Sequence, residues 1–267
     1  MVFFPPLSNI PRFNAYLLSD ITDDALAALK RSFELGTCAP FNTRMELVLR
    51  LAPTDYLGKP HAYIRIKENE AGRPDPFVLI DERAIREGAV WYVDRFADQE
   101  EVDDEIAVST AVLWEILVKT ECLPITWVNY DIANMSIQED LDSCGVESPV
   151  PENFEQPEVW ASGGLDMERE YRSQVAWITA EPGEFEESTD EALRANFMPK
   201  PDRVARLREG LAEEVGLVNG WTIPSNSRLR VMSGGIIKEF PEGSVILQLR
   251  YNPDVPWPAY KWPEESL

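Results

Sequence analysis

Residues 77–94 read FVLIDERAIREGAVWYVD, and this stretch decides the fold that the sequence predicts. Its two continuous apolar runs, FVLI and VWYV, are typical of strands that are covered on both faces. The connection over residues 82–88 is short for a parallel crossover and comfortable for an antiparallel pair. We therefore expect an α/β or α+β fold, in which helices pack on a mixed β-sheet.

The first half of the chain supplies further elements of this sheet. Alternating or β-rich patterns predict strands at residues 14–18, 45–51, 62–67 and 125–130. A helix follows the first strand, with Thr22 as its N-cap, aspartates in its first turn and Gly36 as its stop. Ser136 and Glu139 form a capping box that opens a short helix ending before Gly145. Residues 106–118 suit either a strand or a helix.

The second half is predicted to be mainly antiparallel strands. Residues 147–157 hold three prolines and three acids, which indicates a linker or a long surface loop. The sequence therefore divides into a mixed α/β domain (1–146), this linker (147–157) and a strand-rich part (158–267). That last part lies on the same body or forms a small second lobe. Its predicted elements are strands at 171–179, 228–232, 235–239 and 244–250, and an amphipathic helix at 201–216.

Composition excludes several classes of function. The net charge is -22, with 25 Lys and Arg against 47 Asp and Glu, so a basic face for nucleic acid is not expected. One histidine, His61, and three scattered cysteines leave too few ligands for a zinc or iron site. We expect no metal and no cofactor.

The sequence favours a soluble cytoplasmic protein. The apolar start of the chain has no basic region and is broken by prolines, so it is a poor signal peptide. The apolar stretch at residues 106–118 is too short to span a bilayer, and the acidic charge repels anionic membranes. An odd number of cysteines in a long chain fits a reducing compartment.

Two acidic runs, at residues 98–105 and 181–191, carry much of the negative charge. Such runs usually form solvated loops. The alternative is that they form a docking surface for a basic protein, or that they imitate a phosphate backbone.

Several predicted strands run directly into an aspartate. These residues are Asp20, Asp81, Asp94 and Asp131. Carboxylates gathered at the carboxyl ends of parallel strands could hold a hard cation or exchange protons with a ligand. Because an antiparallel pair places Asp81 and Asp94 at opposite ends, at most Asp20, Asp81 and Asp131 converge. The alternative is that each aspartate begins a turn or caps a helix.

Asn129 and Asn134 flank Asp131 at the predicted junction between a strand and a helix. Their amides and the helix N-terminus would suit an anionic ligand. The other interpretation is that both asparagines close the turn by hydrogen bonding to local backbone. The candidate ligand-binding residues are therefore Asp20, Asp81, Asn129, Asp131 and Asn134.

Nucleophilic catalysis is poorly supported by the sequence. Neither Cys122 nor Cys144 has a histidine near it in sequence, and His61 is expected on the polar side of the strand at 62–67. The chain has no P-loop, GxSxG or GxGxxG motif. Four tryptophans lie in irregular segments, where they line an apolar cleft or fix loops onto the body: Trp160, Trp221, Trp257 and Trp262.

Three segments resemble an uncharacterised family of bacterial and fungal proteins of unknown function. They are residues 16–24, the two apolar runs that end in Asp81 and Asp94, and residues 127–135 with the sequence WVNYDIANM. The last segment is the most specific, since it matches that family's pattern of an Asn, three residues and Ala-Asn-Met before an acidic helix. The resemblance covers roughly the first half of the chain and implies no activity.

Two hypotheses follow for function. The first is a non-catalytic acidic protein that binds a basic or amphipathic protein partner. The second is a cofactor-independent enzyme, of isomerase or cyclase type, that acts on an apolar small molecule through positioning and carboxylate or tyrosine acid–base chemistry. A large pocket lined by tryptophan and one or two carboxylates would favour the enzyme, whereas a flat acidic face would favour the binding protein.

Overall fold

The computed structural model describes residues 2–3, 11–37, 45–162, 166–226, 229–232, 235–252 and 254 of the 267-residue chain. They divide into two compact units. The N-terminal unit comprises the described residues of Ile10–Met167, and the C-terminal unit comprises those of Met1–Asn9 and Glu168–Tyr260. The division lies further along the chain than residues 147–157.

The N-terminal unit is built on a five-stranded mixed sheet in the order β2-β1-β3-β4-β5. The strands are β1 (Arg12–Leu17), β2 (Glu46–Leu51), β3 (Phe77–Ile80), β4 (Ala89–Phe96) and β5 (Leu113–Lys119). β1 runs parallel to β2 and β3, whereas β4 is antiparallel to both β3 and β5. The mixed sheet, and the antiparallel pairing of the two apolar runs, are confirmed.

Helices cover both faces of this sheet. They are α1 (Asp23–Thr37), α2 (His61–Glu70), α3 (Glu82–Glu87), α4 (Gln99–Asp103), α5 (Leu123–Asp131) and α6 (Ile137–Ser143). On one face, Arg65 of α2 lies over the ring of Phe77. On the other face, Trp127 and Tyr130 of α5 contact Phe13 and Tyr92.

The predicted N-caps of α1 and α6 are present in the structure. The Thr22 hydroxyl accepts a hydrogen bond from the amide of Ala25, and Ser136 and Glu139 form the predicted capping box of α6. Gly36 lies within the last turn of α1 rather than beyond it. A Cβ at Gly36 would lie 2.2 Å from the carbonyl oxygen of Glu121, so only glycine allows this close approach.

Two predicted strands of the first half are wrong. Residues 62–67 belong to α2, and residues 125–130 belong to α5. In α2 the side chains that face the protein are Ile64, Arg65 and Glu68, while Ile66 is 45% exposed. The period-2 pattern failed because a buried arginine and a buried glutamate occupy positions that apolar residues normally fill.

Hydrogen bonds compensate much of the cost of burying Arg65 and Glu68, although Nε of Arg65 is buried without a partner. The Arg65 guanidinium donates to the backbone carbonyls of Arg73, Asp75 and Asp94 at 2.5, 2.9 and 3.1 Å. The Glu68 carboxylate accepts from the Tyr56 hydroxyl at 2.6 Å and from two nitrogens of Arg73 at 2.6 and 2.7 Å. These bonds fasten α2 to the loops and strands around it.

The C-terminal unit contains mainly antiparallel strands, as expected. Its strands are β6 (Val175–Ala180), β7 (Phe185–Ser188), β8 (Val204–Leu207), β9 (Ser225–Asn226), β10 (Leu229–Met232), β11 (Gly235–Glu239) and β12 (Val245–Arg250). They form three antiparallel sheets, β6-β12-β9, β7-β8 and β10-β11. Short helices α7 (Met167–Ser173), α8 (Glu191–Arg194) and α9 (Leu211–Glu214) accompany them.

Two predictions for the second half are corrected. Residues 201–216 are not one helix, because β8 pairs with β7 and Gly210 adopts a left-handed φ of 83° before α9. Ion pairs of Arg203 with Glu187 and of Arg206 with Glu186 join the two strands. The strand predicted at 171–179 begins later, because α7 continues to Ser173.

We predict that Arg65→Ala lowers the free energy of unfolding of the N-terminal unit by about 3–5 kcal/mol, because three backbone carbonyls lose a buried charged donor. Arg86→Ala is the control, since its side chain is 66% exposed and should change stability by less than about 0.5 kcal/mol. Urea denaturation followed by circular dichroism measures both. Equal effects of the two variants would contradict the central role of Arg65.

Candidate functional site

The only histidine of the protein lies at the start of α2, against the sheet face that this helix covers. Trp91 pairs with Leu117 and Val93 pairs with Glu115 between β4 and β5. Because side chains alternate along strands, Trp91 and Glu115 project from the same face. The His61 ring packs edge-on against Trp91, with ring centroids 5.2 Å apart.

Two carboxylates flank His61. Its Nδ1 lies 2.7 Å from Oε2 of Glu115, and its Nε2 lies 3.9 Å from Oδ2 of Asp81. The side chains of His61, Glu115 and Asp81 are 15%, 19% and 29% exposed, so the cluster is accessible from solvent. We call these three residues the His61 cluster. Such an arrangement can hold and release a proton at Nε2 while Glu115 fixes the ring.

Asp81 holds its position through bonds to its own surroundings. Its Oδ1 accepts from the amide of Ala84 at 2.7 Å as the N-cap of α3, and its Oδ2 accepts from Trp91 Nε1 at 3.2 Å. Arg83, in the first turn of α3, places its guanidinium 5.5 Å from the Trp91 ring centre. Asp81 is thus both a helix cap and a member of the His61 cluster.

The charges around His61 favour its protonated form. Burial lowers the pKa of His61, but the hydrogen bond and charge of Glu115, together with the charge of Asp81, outweigh burial and raise the pKa above its ordinary value of 6.5. No sequence pattern predicted this pairing, because His61, Asp81 and Glu115 come from three separate elements.

The structure does not gather all of the predicted ligand-binding residues in one place. Asp20 and Asp81 follow the neighbouring parallel strands β1 and β3 at the same edge of the sheet, and Asp20 is exposed. Asp131 is instead the exposed last residue of α5 rather than the end of a strand. The charge of Asp131 acts on Tyr92, which projects from the sheet face opposite to Trp91 and Asp81. Asp94 lies inside β4 and is not at its end.

Asn129 and Asn134 bond to each other and close a local turn. The Asn134 side chain donates to Oδ1 of Asn129 at 3.2 Å, and the Asn134 amide donates to the Asn129 carbonyl at 2.9 Å. The turn is therefore closed by a bond between the two side chains and a backbone bond, whereas the alternative interpretation expected side-chain bonds to local backbone.

The acidic run at residues 98–105 is not a loop, because it contains α4. Asp98 and Glu101 form a capping box. The Glu101 carboxylate accepts from Arg95 at 2.9 Å, from Trp114 Nε1 at 3.0 Å and from Gln138 at 2.8 Å. Although burial raises it, these bonds hold the pKa of Glu101 below its ordinary value. Glu101 therefore fixes α4 to β4, β5 and α6.

Around Glu101 the exposed acids form a surface on α4, α6 and residues 147–152. Its members are Asp98, Glu100, Asp103, Asp104, Glu105, Glu139, Asp142, Glu147 and Glu152. Contacts join these segments, since Ala107 bridges to Val150 and Ser109 donates to Glu152 at 2.6 Å. We call this set the acidic surface.

Positive charges are few in this part of the sequence, although Arg95 of β4 forms ion pairs with Asp98 at 3.5 Å and with Glu101 at 2.9 Å. Residues 97–166 contain 17 Asp and Glu, and Lys119 is their only lysine or arginine. Lys119 donates to the Glu87 carbonyl at 2.5 Å. The acidic run at 181–191 differs, because it forms β7 and the start of α8 and its acids pair with Arg203, Arg206 and Lys200.

A carboxyl group with a raised pKa lies in the core of the N-terminal unit. Asp140 of α6 is 2% exposed, and its Oδ2 accepts from the Tyr130 hydroxyl at 2.7 Å. Its Oδ1 is buried without a hydrogen-bond partner. Burial is the main cause that raises the pKa of Asp140 to about 6. Its partners indicate a structural role.

The cysteines and the described cavities add little chemistry. Cys122 and Cys144 are buried free thiols whose pKa values are raised by burial, and Cys38 lies outside the described residues.

An open groove of about 830 Å³ in the C-terminal unit is lined by acids and by Arg203 and Arg208. A second groove there, of about 640 Å³, contains Arg206. An apolar cavity of about 90 Å³ lies between α1 and α3.

Of the four tryptophans in irregular segments, two can be placed. The backbone of Trp160 bonds to Leu117 and Lys119 along β5, and the Trp221 ring packs beneath Arg206, 4.7 Å from its guanidinium. Trp257 and Trp262 lie outside the described residues.

Within the described ranges, no group of three or more His, Cys, Asp or Glu side chains has the geometry of a metal site. No helix in the same ranges has the length and apolar character needed to cross a membrane.

Comparison with known proteins finds no relative. No protein-family model matches the chain. No curated protein and no solved structure matches it either. The resemblance over the first half therefore assigns neither a family nor an activity.

We predict that Asp81→Asn costs up to about 1 kcal/mol of stability, because asparagine still caps α3. Asp131→Asn should change stability by less than about 0.5 kcal/mol, since Asp131 is exposed. Chemical denaturation at pH 7 measures both. A clear gain of stability in Asp81→Asn would instead indicate a strained carboxylate cluster.

We also predict that the contribution of Asp140 to stability falls as pH rises from about 4 to 6. An aspartate in the unfolded chain ionises near pH 3.9, whereas folded Asp140 stays protonated up to about 6, so the folded state binds more protons in this window. Asp140→Asn should reduce this fall, and Asp142→Asn, an exposed neighbour in the same helix, should not. Melting curves across the window would contradict the prediction if Asp140→Asn left the slope unchanged.

Proposed function

We propose that this protein is a non-catalytic binding protein, and that the acidic surface of its N-terminal unit docks a basic protein partner. The observation that carries the proposal is the segregation of charge over residues 97–166, where a single lysine accompanies 17 acids. An even mixture of both charges would serve solubility alone. So large an excess of acids creates a predominantly negative field, even with Arg95 paired to Asp98 and Glu101.

The acids of this surface lie on ordered elements. Glu101 fixes α4 through Arg95, Trp114 and Gln138, and its capping box with Asp98 holds the first turn. A surface that is already ordered loses little conformational entropy when a partner binds. This supports a defined docking site over a solvated acidic loop.

The chemistry of the surface selects a partner rich in lysine and arginine. Phosphate groups are repelled, so the proposed partner is a protein and neither a nucleic acid nor an anionic membrane. Association should be fast and should weaken as the ionic strength rises, because charges at exposed sites are screened within about 8–10 Å.

A cofactor-independent enzyme that acts on an apolar small molecule is the second candidate. The His61 cluster favours it, since Nε2 of His61 is able to exchange a proton while Glu115 orients the ring. None of the three cavities described above has tryptophan in its walls, and the apolar cavity measures only about 90 Å³. The binding proposal therefore ranks first.

The test compares two variants with the same change of net charge. Glu100→Lys/Asp103→Lys/Asp104→Lys reverses three exposed acids of the acidic surface, and Glu209→Lys/Glu213→Lys/Glu214→Lys reverses three exposed acids of the C-terminal unit. Fluorescence anisotropy with a labelled peptide of alternating Lys and Leu measures affinity at several salt concentrations. We expect the first variant to weaken binding about tenfold or more and the second to weaken it by less than about threefold.

Equal losses in the two variants would show that the peptide senses only total charge, and would refute a defined docking surface. Circular dichroism of each variant establishes that the fold is retained, so that a loss of affinity reports on the surface.

A further inference from the structure

The N-terminus of α2 lacks the capping side chain and the acidic residues that usually stabilise the start of a helix. Its N-cap position is Pro60, which offers no side-chain hydrogen bond, and its first turn contains no acidic residue. Helices normally satisfy their first amides with a capping side chain and place acids there. The first residue of α2 is His61, and its contact with Glu115 joins this turn to β5.

We propose that His61 is a proton-controlled clamp, in which the imidazolium, held between Glu115 and Asp81, fastens the first turn of α2 to the sheet. Loss of the proton at higher pH weakens the clamp. The proposal is independent of the docking function, since it concerns another part of the N-terminal unit.

The geometry supports a contact that depends on the proton. Nδ1 lies 2.7 Å from Oε2 of Glu115 and donates to it when it carries a proton, whereas Nε2 faces Oδ2 of Asp81 at 3.9 Å. When Nε2 carries a proton, the ring is a cation attracted by both carboxylates. When Nε2 is deprotonated, its lone pair faces the carboxylate, and this second attraction is lost.

The charged groups that face His61 come from each element packed against it. Glu115 on β5 and Asp81 at the start of α3 favour the protonated form of His61. Arg83 of α3, which lies over the ring of Trp91, opposes protonation. On the chain of α2 itself, Lys59 lies over the ring of Tyr63, 5.8 Å from its centre. The carboxylates are the groups in direct reach, so protonation is favoured.

The sign of the pH dependence follows. Because the folded pKa of His61 is raised above 6.5, the clamp is complete below that value and is lost as pH rises through the folded pKa. The titration midpoint of His61 should be higher when the first turn of α2 is closed than when it is open. For each pH unit of this difference, the open turn is about tenfold more populated at high pH than at low pH.

When the His61 contact weakens, only the start of α2 should open. Arg65 and Glu68 hold the later turns of α2 through bonds that do not involve His61. Tyr56 is held by Glu68, so the segment free to respond is residues 57–64, the end of the β2–α2 connection and the first helical turn. The amides of Tyr63 and Ile64, which bond to the Pro60 carbonyl, report on it.

The experiment uses the intact wild-type protein. Because it has one histidine, the NMR signal of the His61 ring is assigned at once and gives its midpoint directly. Amide exchange at Tyr63 and Ile64, corrected for intrinsic rates, is compared with that of Arg73, whose amide bonds to the Glu68 carbonyl. We expect the titration midpoint of His61 to lie above pH 6.5. Between low and high pH, protection of the Tyr63 and Ile64 amides against exchange should fall about tenfold for each pH unit by which this midpoint exceeds 6.5.

Glu115→Gln and Asp81→Asn should each lower the midpoint and the pH-dependent loss, whereas Asp20→Asn, at an exposed position, should change neither. A wild-type midpoint at or below 6.5 overturns the proposal. It is also overturned if protection of the first turn does not vary with pH, or varies as much at Arg73. The wild-type titration decides the matter even if one variant fails to fold.

Discussion

The buried pair of charges on α2 is the constraint on which the N-terminal unit depends. Arg65 and Glu68 are almost fully removed from water, which is costly unless every polar group finds a partner. The two terminal nitrogens of Arg65 donate to three backbone carbonyls and its guanidinium lies over the ring of Phe77, although its Nε has no partner. Glu68 accepts from Tyr56 and Arg73. These bonds permit only one rotation of the helix about its axis.

That rotation also determines where His61 lies. His61, Arg65 and Glu68 are spaced at i, i+4 and i+7, so they share one stripe of the helix. When the two buried charges face the sheet, His61 faces it as well and meets Glu115 and Trp91. The His61 cluster is thus a consequence of the same packing that buries Arg65.

Negative charge has two different roles in this molecule. Glu68 and Glu101 are enclosed by donors and organise the structure around them. Acids such as Glu100 and Asp103 are exposed, and the cations that would balance them are missing from residues 97–166. The enclosed acids fix the elements that display the exposed ones, which is why the surface supports a proposal of docking.

The sequence by itself determined the elements whose signals are local. Thr22, the capping box at Ser136 and the apolar run at 77–80 specify helix starts and a buried strand through neighbouring residues. Only the tertiary structure showed that residues 62–67 are helical, because Arg65 is buried through bonds to the backbone carbonyls of the following loop and of β4, which the side-chain pattern does not reveal. It also separated Asp81 from Asp131 and joined His61 to Glu115, 54 residues apart, because side chains meet across a sheet only once strand order and helix rotation are set.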